Sequence, residues 1–455
     1  MKLKVDPSRL AGRRATLLGL ARTHLALARF LARHGAEVTV TDTKRADQLG
    51  AQMQQLAELP IRYTLGEHDF RDFTDADVVF VTPGVPRSHP MVEAAVRADV
   101  PISSEIELLF ELCPLPIAAI TGSAGKTTTT TLAGEMLRAA GFPTFVGGNI
   151  GTPLIDTLES MPEDARIVLE LSSFQLEPMV RSPQVGAILN VTPNHLDRHP
   201  SFEAYRDAKA NLIAHQRRDD VAVLGLDDPV ASQLGDRGPG RKMFFSIESP
   251  VVEGACLVAS RDLVVALGDL EGTIGRRDEL LLRGDHNVLN MLAAACVAGL
   301  RGAPLDAMRG VATTFSGVEH RIEPVRTLDG AAWYNDSKAT SPAETIAALR
   351  SFSEPIVLIA GGRSKKAPLD EMAGEIVQRV RAMVTFGEMA DEIAEAVAGK
   401  VPTERAATLA EAVGAARRLQ QPGDVVLLSP SGTSFDAFSD YEHRGRVFKE
   451  LVNAL

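Results

Sequence analysis

One stretch, residues 116–131, restricts the fold of this chain more than any other part of it. It begins with an apolar run at 116–121, which predicts a buried strand, and continues into a loop that contains glycine and lysine. A helix is predicted for 128–140, because Gly141 and then Pro143 are the usual stop signal for a helix. A strand, a glycine loop and a helix start form a phosphate cradle, since backbone N–H groups and the positive end of the helix dipole face the anion.

The loop supplies candidates for binding a nucleotide. Lys126 would reach the β- and γ-phosphates, and the hydroxyl of Thr127 or Thr128 would ligate Mg²⁺. The pattern G-x-x-x-x-G-K-[ST] is incomplete, because Ile120 occupies the place of the first glycine. An ordinary Gly/Ser turn after a strand therefore stays open as an alternative. The residues whose backbone would face the phosphates are Gly122, Ser123, Ala124 and Gly125.

Length and composition are those of a multidomain globular protein. The 455 residues predict about three domains, and 45% hydrophobic residues provide ample material for their cores. A formal net charge of −11 argues against nucleic-acid or acidic-membrane partners, which need a basic face. The three cysteines are widely spaced, so we expect buried thiols of a reducing compartment. With no apolar h-region and no apolar run of 18 residues, a cytoplasmic location is predicted.

Residues 1–106 predict a Rossmann-like α/β domain. Asp42 ends a predicted strand at 37–42, about 20 positions after Gly19, as in dinucleotide-binding βαβ units. Ala21 and His24 stand where that motif has glycines, so ordinary dinucleotide binding is not expected. A nucleotide diphosphate near Asp42 and a plain βα turn both stay open.

A central domain is predicted for 107–317, with a parallel sheet. Glu170 ends an otherwise apolar strand, and Mg²⁺ beside the phosphate loop would give this carboxylate a partner. His195 follows a second apolar strand at the same edge, where a purely structural hydrogen bond is the alternative to a ligand role. Lys209 lies on a predicted helix and would ordinarily be a solvated surface charge.

Two further features complete the central domain. Short alternating runs at 241–282 predict a small antiparallel flank on the sheet. An apolar helix is predicted for 288–300, and Asn287 just before it would either face the nucleotide or cap the helix.

The C-terminal domain, 318–455, is predicted to be a Rossmann-like α/β domain with a parallel sheet. Asp336 ends a strand at 330–336, and a capping box with proline at the first helical position is predicted from Ser341 to Glu344. The loop between them lies before a helix N-terminus and is a natural anion site. Strands at 355–362, 383–387 and 424–429 alternate with helices.

Taken together and in this order, these loops resemble those of the Mur ligases of bacterial cell-wall synthesis. The resemblance spans nearly the whole chain, and it includes the shorter Gly-x-x-Gly-Lys form of the phosphate loop. The matching stretches lie at 121–127, 148–151, 170–177, 190–198, 286–287, 320–321, 335–340, 361–362 and 429–436.

The resemblance implies an ATP-dependent ligase with three domains, which bind a UDP-linked substrate, ATP and an amino acid in that order along the chain. The loops at 336–340 and 434–436 favour the reaction that joins D-glutamate to UDP-N-acetylmuramoyl-L-alanine. ATP and two Mg²⁺ ions would be required, and a monomer is expected. A ligase for another amino acid, a folylpolyglutamate synthetase and a nucleotide-sensing module without chemistry stay open as alternatives.

The resemblance also implies roles for individual residues. Lys126 would hold the ATP phosphates, Thr127 and Glu170 one Mg²⁺ and His195 a second, while Lys209 would be carbamylated into an extra carboxylate. Asn287 and Arg321 would flank the adenosine and phosphates, with Asp336 on the ribose. The implied substrate-binding residues are Thr23, Asp42, Thr43, Lys44, Thr82, Asn149, Lys338, Thr340, Lys365, Ser434, Phe435 and Tyr441.

Overall fold

The computed structural model describes residue 3 and residues 5–195, 198–282, 284–364 and 367–455. The chain divides into two compact units. The first contains Met1–Leu280 and Asp285–Thr314, and the second contains Leu281–Gly284 and Phe315–Leu455.

The first sheet, at the start of the first unit, is parallel throughout, and its strand order is β3-β2-β1-β4-β5. From β1 the chain adds strands first on one side, β2 and β3, and then on the other, β4 and β5. Open α/β sheets leave a crevice for a ligand at such a switch point, here between β1 and β4. The strands are β1 Arg14–Leu18, β2 Glu37–Asp42, β3 Ile61–Leu65, β4 Val78–Val81 and β5 Ile102–Ser103. The helices are α1 Arg22–Arg33, α2 Gly50–Gln54, α3 Phe70–Thr74, α4 Pro90–Arg97 and α5 Glu105–Leu112.

The second sheet follows in the same unit, in the order β14-β13-β12-β11-β10-β9-β6-β8-β7. Its strands are β6 Ile117–Thr121, β7 Thr144–Gly148, β8 Arg166–Glu170, β9 Val185–Ile188, β10 Val221–Gly225, β11 Arg241–Ser246, β12 Gly254–Val258, β13 Asp262–Leu267 and β14 Leu270–Arg276. The helices are α6 Lys126–Ala139, α7 Ser173–Leu176, α8 Phe202–Ala214, α9 Pro229–Leu234, α10 Asp285–Leu300 and α11 Leu305–Thr314.

The antiparallel flank of this sheet is smaller than the sequence predicts. Only β12, β13 and β14 pair antiparallel, whereas β11 pairs parallel with both β10 and β12. Met243 and Phe245 of β11 are buried, so this strand belongs to the covered, parallel part of the sheet.

The third sheet lies in the second unit, in the order β15-β16-β20-β17-β18-β19. The hairpin β15–β16 is antiparallel and the other pairings are parallel. The strands are β15 Glu323–Leu328, β16 Ala331–Asn335, β17 Ile356–Gly361, β18 Val380–Phe386, β19 Thr403–Arg405 and β20 Val425–Ser431. The helices are α12 Pro342–Arg350, α13 Asp370–Arg379, α14 Ala390–Ala396, α15 Leu409–Leu419 and α16 Tyr441–Ala454.

One apolar core runs from the first sheet into the second. It includes Leu27 of α1, Leu109 of α5 and Ile155 beyond β7, and all three are buried. An ion pair between Arg29 and Asp156 joins the same two regions. The expected α/β class with parallel sheets is therefore confirmed, while the predicted boundaries at 106 and 317 stay predictions.

In the part of the chain that the structure describes, no helix has the length and apolar character needed to cross a membrane.

Candidate active site

The loop between β6 and α6 has the backbone geometry of a phosphate cradle. Gly125 precedes the helix in the left-handed region, with φ of +83°, and a Cβ there would overlap the side-chain oxygen of Asn290. Asn190, beyond β9, supports the loop from the side. Its Oδ1 accepts from the backbone N–H of Ala124 at 2.8 Å, and its carbonyl accepts from that of Ser123 at 2.9 Å. The helix begins at Lys126, two residues earlier than predicted.

Two lysines converge on one carbonyl of this loop. Lys126 Nζ donates to the Gly122 oxygen at 3.0 Å, and Lys209 Nζ donates to the same oxygen at 2.8 Å. The side chain of Lys209 also donates to Thr121 Oγ1 at 3.3 Å, and Lys209 is 1% exposed. The prediction of a solvated surface charge is therefore wrong, because helix α8 packs this face against the end of β6.

The environment of Lys209 favours its neutral form. Burial lowers the pKa of its ammonium well below the usual value, and the positive charge of Lys126 lowers it further, while Glu170 opposes the shift. A neutral amine is the form that reacts with electrophiles such as carbon dioxide.

Glu170, at the end of β8, is the residue whose surroundings best fit a bound cation. It is 2% exposed, and Asn149 Nδ2 donates to its Oε1 at 2.9 Å. Its Oε2 is buried and has no hydrogen-bond partner among the described residues. A buried carboxylate oxygen without a partner is costly, and an oxygen-preferring ion such as Mg²⁺ would satisfy it.

No group of three or more His, Cys, Asp or Glu side chains that could hold a metal occurs among the described residues. A metal here would therefore need other oxygens, such as a threonine hydroxyl or phosphate. Thr127 and Thr128 are both buried at the start of α6, beside the phosphate loop.

His195 lies on a loop beyond β9 with φ of +55°, and its side chain is exposed. Its ring contacts Phe174 edge-on, with 5.2 Å between centroids, and lies 6.4 Å from the ring of Tyr205. The Tyr205 hydroxyl is 2.9 Å from Ser123 Oγ in the phosphate loop. The structure thus brings the loops of Lys126, Glu170 and His195 to one edge of the central sheet.

Asn287 reaches the phosphate region through Asn290. The Oδ1 of Asn287 accepts from Asn290 Nδ2 at 3.2 Å, and Asn290 Oδ1 accepts from Thr129 Oγ1 of α6, also at 3.2 Å. Because α10 begins at Asp285, Asn287 lies in the first turn of this helix rather than before it.

The crevice of the first sheet is arranged around Asp42. Its Oδ2 accepts from the backbone N–H of Leu20 at 2.9 Å and its Oδ1 from that of Lys44, also at 2.9 Å. His24 is buried and donates from Nδ1 to the Gly19 carbonyl, and burial lowers the pKa of this imidazole to about 4. The remaining candidates surround the same strand ends: Thr23 in the first turn of α1, Thr43 after β2, and Thr82 after β4.

In the second unit, Asp336 is a buried acid at the end of β16. Ser429 Oγ donates to its Oδ2 at 2.8 Å, and the backbone N–H of Ile322 donates to its Oδ1 at 3.2 Å. Burial raises the pKa of this carboxyl to about 7, while the Ser429 hydrogen bond and the charge of Arg321 act in the opposite direction.

The predicted capping box at Ser341 does not form. Ser341 precedes α12 and Pro342 is its first residue, as predicted, but the serine side chain caps no backbone N–H. Instead Glu344 Oε2 accepts from Ser341 Oγ and from the Thr340 backbone N–H, both at 2.9 Å. The carboxylate therefore fixes the end of the 336–340 loop.

The other candidates of the second unit lie around this loop. The Lys338 backbone N–H donates to the His320 carbonyl, and the Tyr441 carbonyl accepts from Ser337 Oγ at 2.8 Å. Ser434 is buried, whereas Phe435 is 62% exposed. Lys365 lies outside the described residues.

Several residues that the structure places in these sites have no role predicted from the sequence. A polar residue that ends an apolar strand, as Asn190 does, is a signal that could have found it. Asn290 is a polar residue inside an apolar helix and could have been found in the same way. Tyr205 and Phe174 offer no such signal, because their importance arises only from tertiary contacts.

Comparison with protein families gives three matches in chain order. Residues 13–104 match the Mur ligase MurD-like N-terminal domain. Residues 120–298 match the Mur ligase middle domain, and residues 320–432 match the Mur ligase glutamate ligase domain.

Several similar proteins of full length share the name UDP-N-acetylmuramoylalanine–D-glutamate ligase. The protein from Symbiobacterium thermophilum is 47% identical over 448 residues, which cover 97% of this chain and 98% of the relative. The protein from Geobacter metallireducens is 43% identical over 98% of this chain and 98% of the relative. The protein from Acetivibrio thermocellus is 40% identical over 100% of this chain and 99% of the relative.

Solved structures with the same fold are more distant. UDP-N-acetylmuramate–alanine ligase MurC from Thermotoga maritima has a TM-score of 0.59 at 21% identity, covering 97% of this chain and 99% of that one. MurF from Acinetobacter baumannii has a TM-score of 0.59 at 17% identity, covering 99% and 93%. With the family matches and the full-length relatives, the conclusion is that this chain belongs to the Mur ligases, the ATP-dependent ligases of peptidoglycan-precursor synthesis.

Proposed function

We propose that this chain joins D-glutamate to UDP-N-acetylmuramoyl-L-alanine, with cleavage of ATP to ADP and phosphate. The observation that carries the proposal is the convergence of Lys126, Lys209 and Glu170 at the carboxyl edge of the central sheet. The name shared by relatives at 40–47% identity supports the choice of substrates.

The first step activates the L-alanyl carboxylate of the substrate. Its oxygen attacks the γ-phosphorus of ATP and ADP leaves, so an acyl phosphate forms whose leaving group is phosphate rather than oxide. Lys126, on the phosphate loop, offsets negative charge that accumulates between two anionic reactants. This ammonium donates to the Gly122 and Ser123 carbonyls, which places it at the phosphate loop.

In the second step, the amine of D-glutamate attacks the acyl carbon. A tetrahedral intermediate collapses to the amide as inorganic phosphate leaves and the amine loses a proton. No protein nucleophile takes part. Thr340, Ser434 and Tyr441 are the described candidates for holding D-glutamate, together with Lys338 and Phe435. Holding the amine beside the acyl phosphate supplies much of the remaining rate by positioning.

The residues of the first unit fit a magnesium site. Glu170 Oε2 would be one ligand, the Thr127 hydroxyl a second, and Lys209 a third if it is carbamylated. His195 is the candidate for a second ion. When bound, the metal would neutralise phosphate charge and orient the transferred group. Asn149 holds the Glu170 carboxylate in one orientation from its other oxygen.

Nucleotide and substrate roles outside this cluster follow from the loops already described. Asn287, Arg321 and Asp336 would contact the nucleotide, with Asp336 on the ribose. The crevice around Asp42 would hold the UDP end of the substrate, with Thr23, Thr43, Lys44 and Thr82. We further propose a cytoplasmic monomer.

The test is a substrate panel with purified protein. With Mg-ATP and UDP-N-acetylmuramoyl-L-alanine, phosphate release should depend on D-glutamate and be absent with L-alanine, L-lysine or L-glutamate. The product should be one amide, identified by its mass. Turnover with another amino acid would move the assignment within the family, and nucleotide binding without amide formation would favour a sensing module.

A further inference from the structure

The ring of Phe174 is the meeting point of three side chains from the loop that carries His195. His195 contacts it edge-on, at 5.2 Å between centroids, and His199 stacks on it at 5.0 Å with only 3° between the planes. The guanidinium carbon of Arg198 lies 5.1 Å from the ring centroid. Aromatic and cation–π contacts are favourable, so together they hold His195, Arg198 and His199 against this ring.

Phe174 itself is tied to Glu170, four residues earlier. It lies in α7, whose first turn is held by a reciprocal pair: Ser172 accepts from the Gln175 backbone N–H, and Gln175 accepts from that of Ser172. Ser173 Oγ is 2.9 Å from Nε2 of His199, which is 2% exposed. Helix α7, which follows the candidate metal ligand Glu170, therefore holds the ring on which His195 and His199 pack.

The same loop reaches two other parts of the site. Arg198 donates to the Gly84 carbonyl at 2.9 Å, in the turn of the first sheet that also contains Thr82. His199 contacts the ring of Tyr205 edge-on at 5.4 Å, and the Tyr205 hydroxyl lies 2.9 Å from Ser123 in the phosphate loop.

We propose that Phe174 is a positioning residue of the ligase, whose ring sets the His195 loop at a fixed place between Glu170, the phosphate loop and the UDP-substrate turn. It touches no reacting atom and acts through the side chains that pack on it. This inference rests on the proposed function. It predicts that loss of the aromatic faces slows acyl-phosphate formation more than it weakens the fold.

The experiment compares Phe174→Leu, which keeps apolar volume but removes the ring faces, with Phe174→Tyr, which keeps them. Phe142→Leu is the matched control, because Phe142 has the same kind of contact with Arg166, at 3.9 Å, away from these loops.

We expect Phe174→Leu to lower kcat by about ten- to hundredfold, since small misplacements of reacting groups have effects of that size. Phe174→Tyr should restore most of the rate, and Phe142→Leu should leave kcat unchanged. ATP binding without divalent metal, measured by calorimetry, should be unaltered in all three.

A second variant, Arg198→Met, tests the link to the first sheet and should raise KM for the UDP substrate while Tm stays within a few degrees. If Phe174→Leu keeps the wild-type kcat, or if it lowers kcat and Phe174→Tyr lowers it equally, the inference is wrong. Should Phe174→Leu fail to fold, an unchanged KM in Arg198→Met would overturn it. Failure of the wild type to ligate D-glutamate would instead refute the proposed function, so the two failures are distinguishable.

Discussion

The ammonium nitrogen of Lys209 lies 2.8 Å from the carbonyl oxygen of Gly122, at the start of the phosphate loop. The same oxygen accepts from Lys126, so the two lysine nitrogens share one partner, and the Lys209 side chain is buried. Repulsion and burial both favour loss of a proton from the more buried lysine. This relationship gives a physical reason for a neutral, nucleophilic amine at Lys209 that does not depend on family resemblance.

Replacing Lys209 should separate activity from stability. Lys209→Ala is expected to lose turnover, and part of it should return with added short carboxylic acids if a carbamate is the active form. The folded-state pKa is lowered, so between that pKa and about 10.5 the native state binds fewer protons than the unfolded one, and its stability rises with pH in that window. Lys209→Met should remove this contribution and melt no lower than the wild type at pH 7.

The readouts are phosphate release and Tm across pH, with Lys242→Ala as control. Lys242 pairs with Asp236 on the surface, and its loss should change neither quantity appreciably. Full activity in Lys209→Ala would show that this buried lysine has only a structural role.

Lys126→Ala should abolish turnover while the fold survives. Loss of a preorganised group that stabilises developing charge costs about 10²–10³-fold or more in kcat. Arg138→Ala is the control on the same helix, because Arg138 pairs with Glu135 near the surface at the other end of α6. Phosphate release and circular dichroism would be measured, and an unchanged kcat would remove the phosphate role.

Gly125→Ala should damage the phosphate loop by two effects that a matched variant separates. The left-handed backbone costs about 1 kcal/mol for a residue with a Cβ, and the new carbon would also overlap Asn290. Gly141→Ala has nearly the same φ, +85°, with nothing within 4 Å of the added atom. We expect a modest loss of stability for Gly141→Ala and a larger one, with weaker ATP binding, for Gly125→Ala, measured by urea unfolding and calorimetry. Equal losses would show that the Asn290 contact does not matter.

Asp336 should give stability and nucleotide affinity opposite dependence on pH. Its pKa is raised to about 7, so its contribution to stability is present below the unfolded value near 4 and is lost as pH rises to about 7. The contribution is on the order of 4 kcal/mol at most. An ionised carboxylate is the better acceptor for a ribose hydroxyl, so KM for ATP should fall as pH rises through 7. Asp336→Asn should flatten both profiles, and a persisting KM profile would assign it to another group.

Glu170→Gln should weaken the dependence on magnesium. The amide keeps a hydrogen-bonding oxygen but loses the charge of the carboxylate, whose Oε2 has no hydrogen-bond partner in the described part of the chain. We expect the magnesium concentration for half-maximal rate to rise at least about tenfold, which corresponds to 1.4 kcal/mol of binding. Asn149→Ala should give a smaller rise, since it only orients the carboxylate. An unaltered magnesium response in Glu170→Gln would exclude the ligand role.

Local rules found the strands, the phosphate loop and the acids at strand ends, because these depend on apolar runs and turn residues that are adjacent in sequence. These rules failed where the environment of a residue depends on an element that is distant in sequence and packs over it. Lys209 reads as a surface charge until α8 packs against β6, and β11 reads as part of an antiparallel flank until its buried side chains place it in the parallel sheet. At Ser341, the right residues are present, but the Glu344 carboxylate binds the serine side chain and the preceding loop instead of forming a capping box.

The apolar core that joins α1 and α5 to the segment beyond β7 bears on how this chain could be divided. A fragment ending near residue 106 would contain Leu27 but not Leu109 or Ile155, although all three belong to one buried cluster. Fragments cut at this position, inside α5, should associate or aggregate rather than stay apart, and both sheets should melt in a single calorimetric transition. The predicted domain boundary near residue 106 is thus an unsuitable place to divide this protein into fragments.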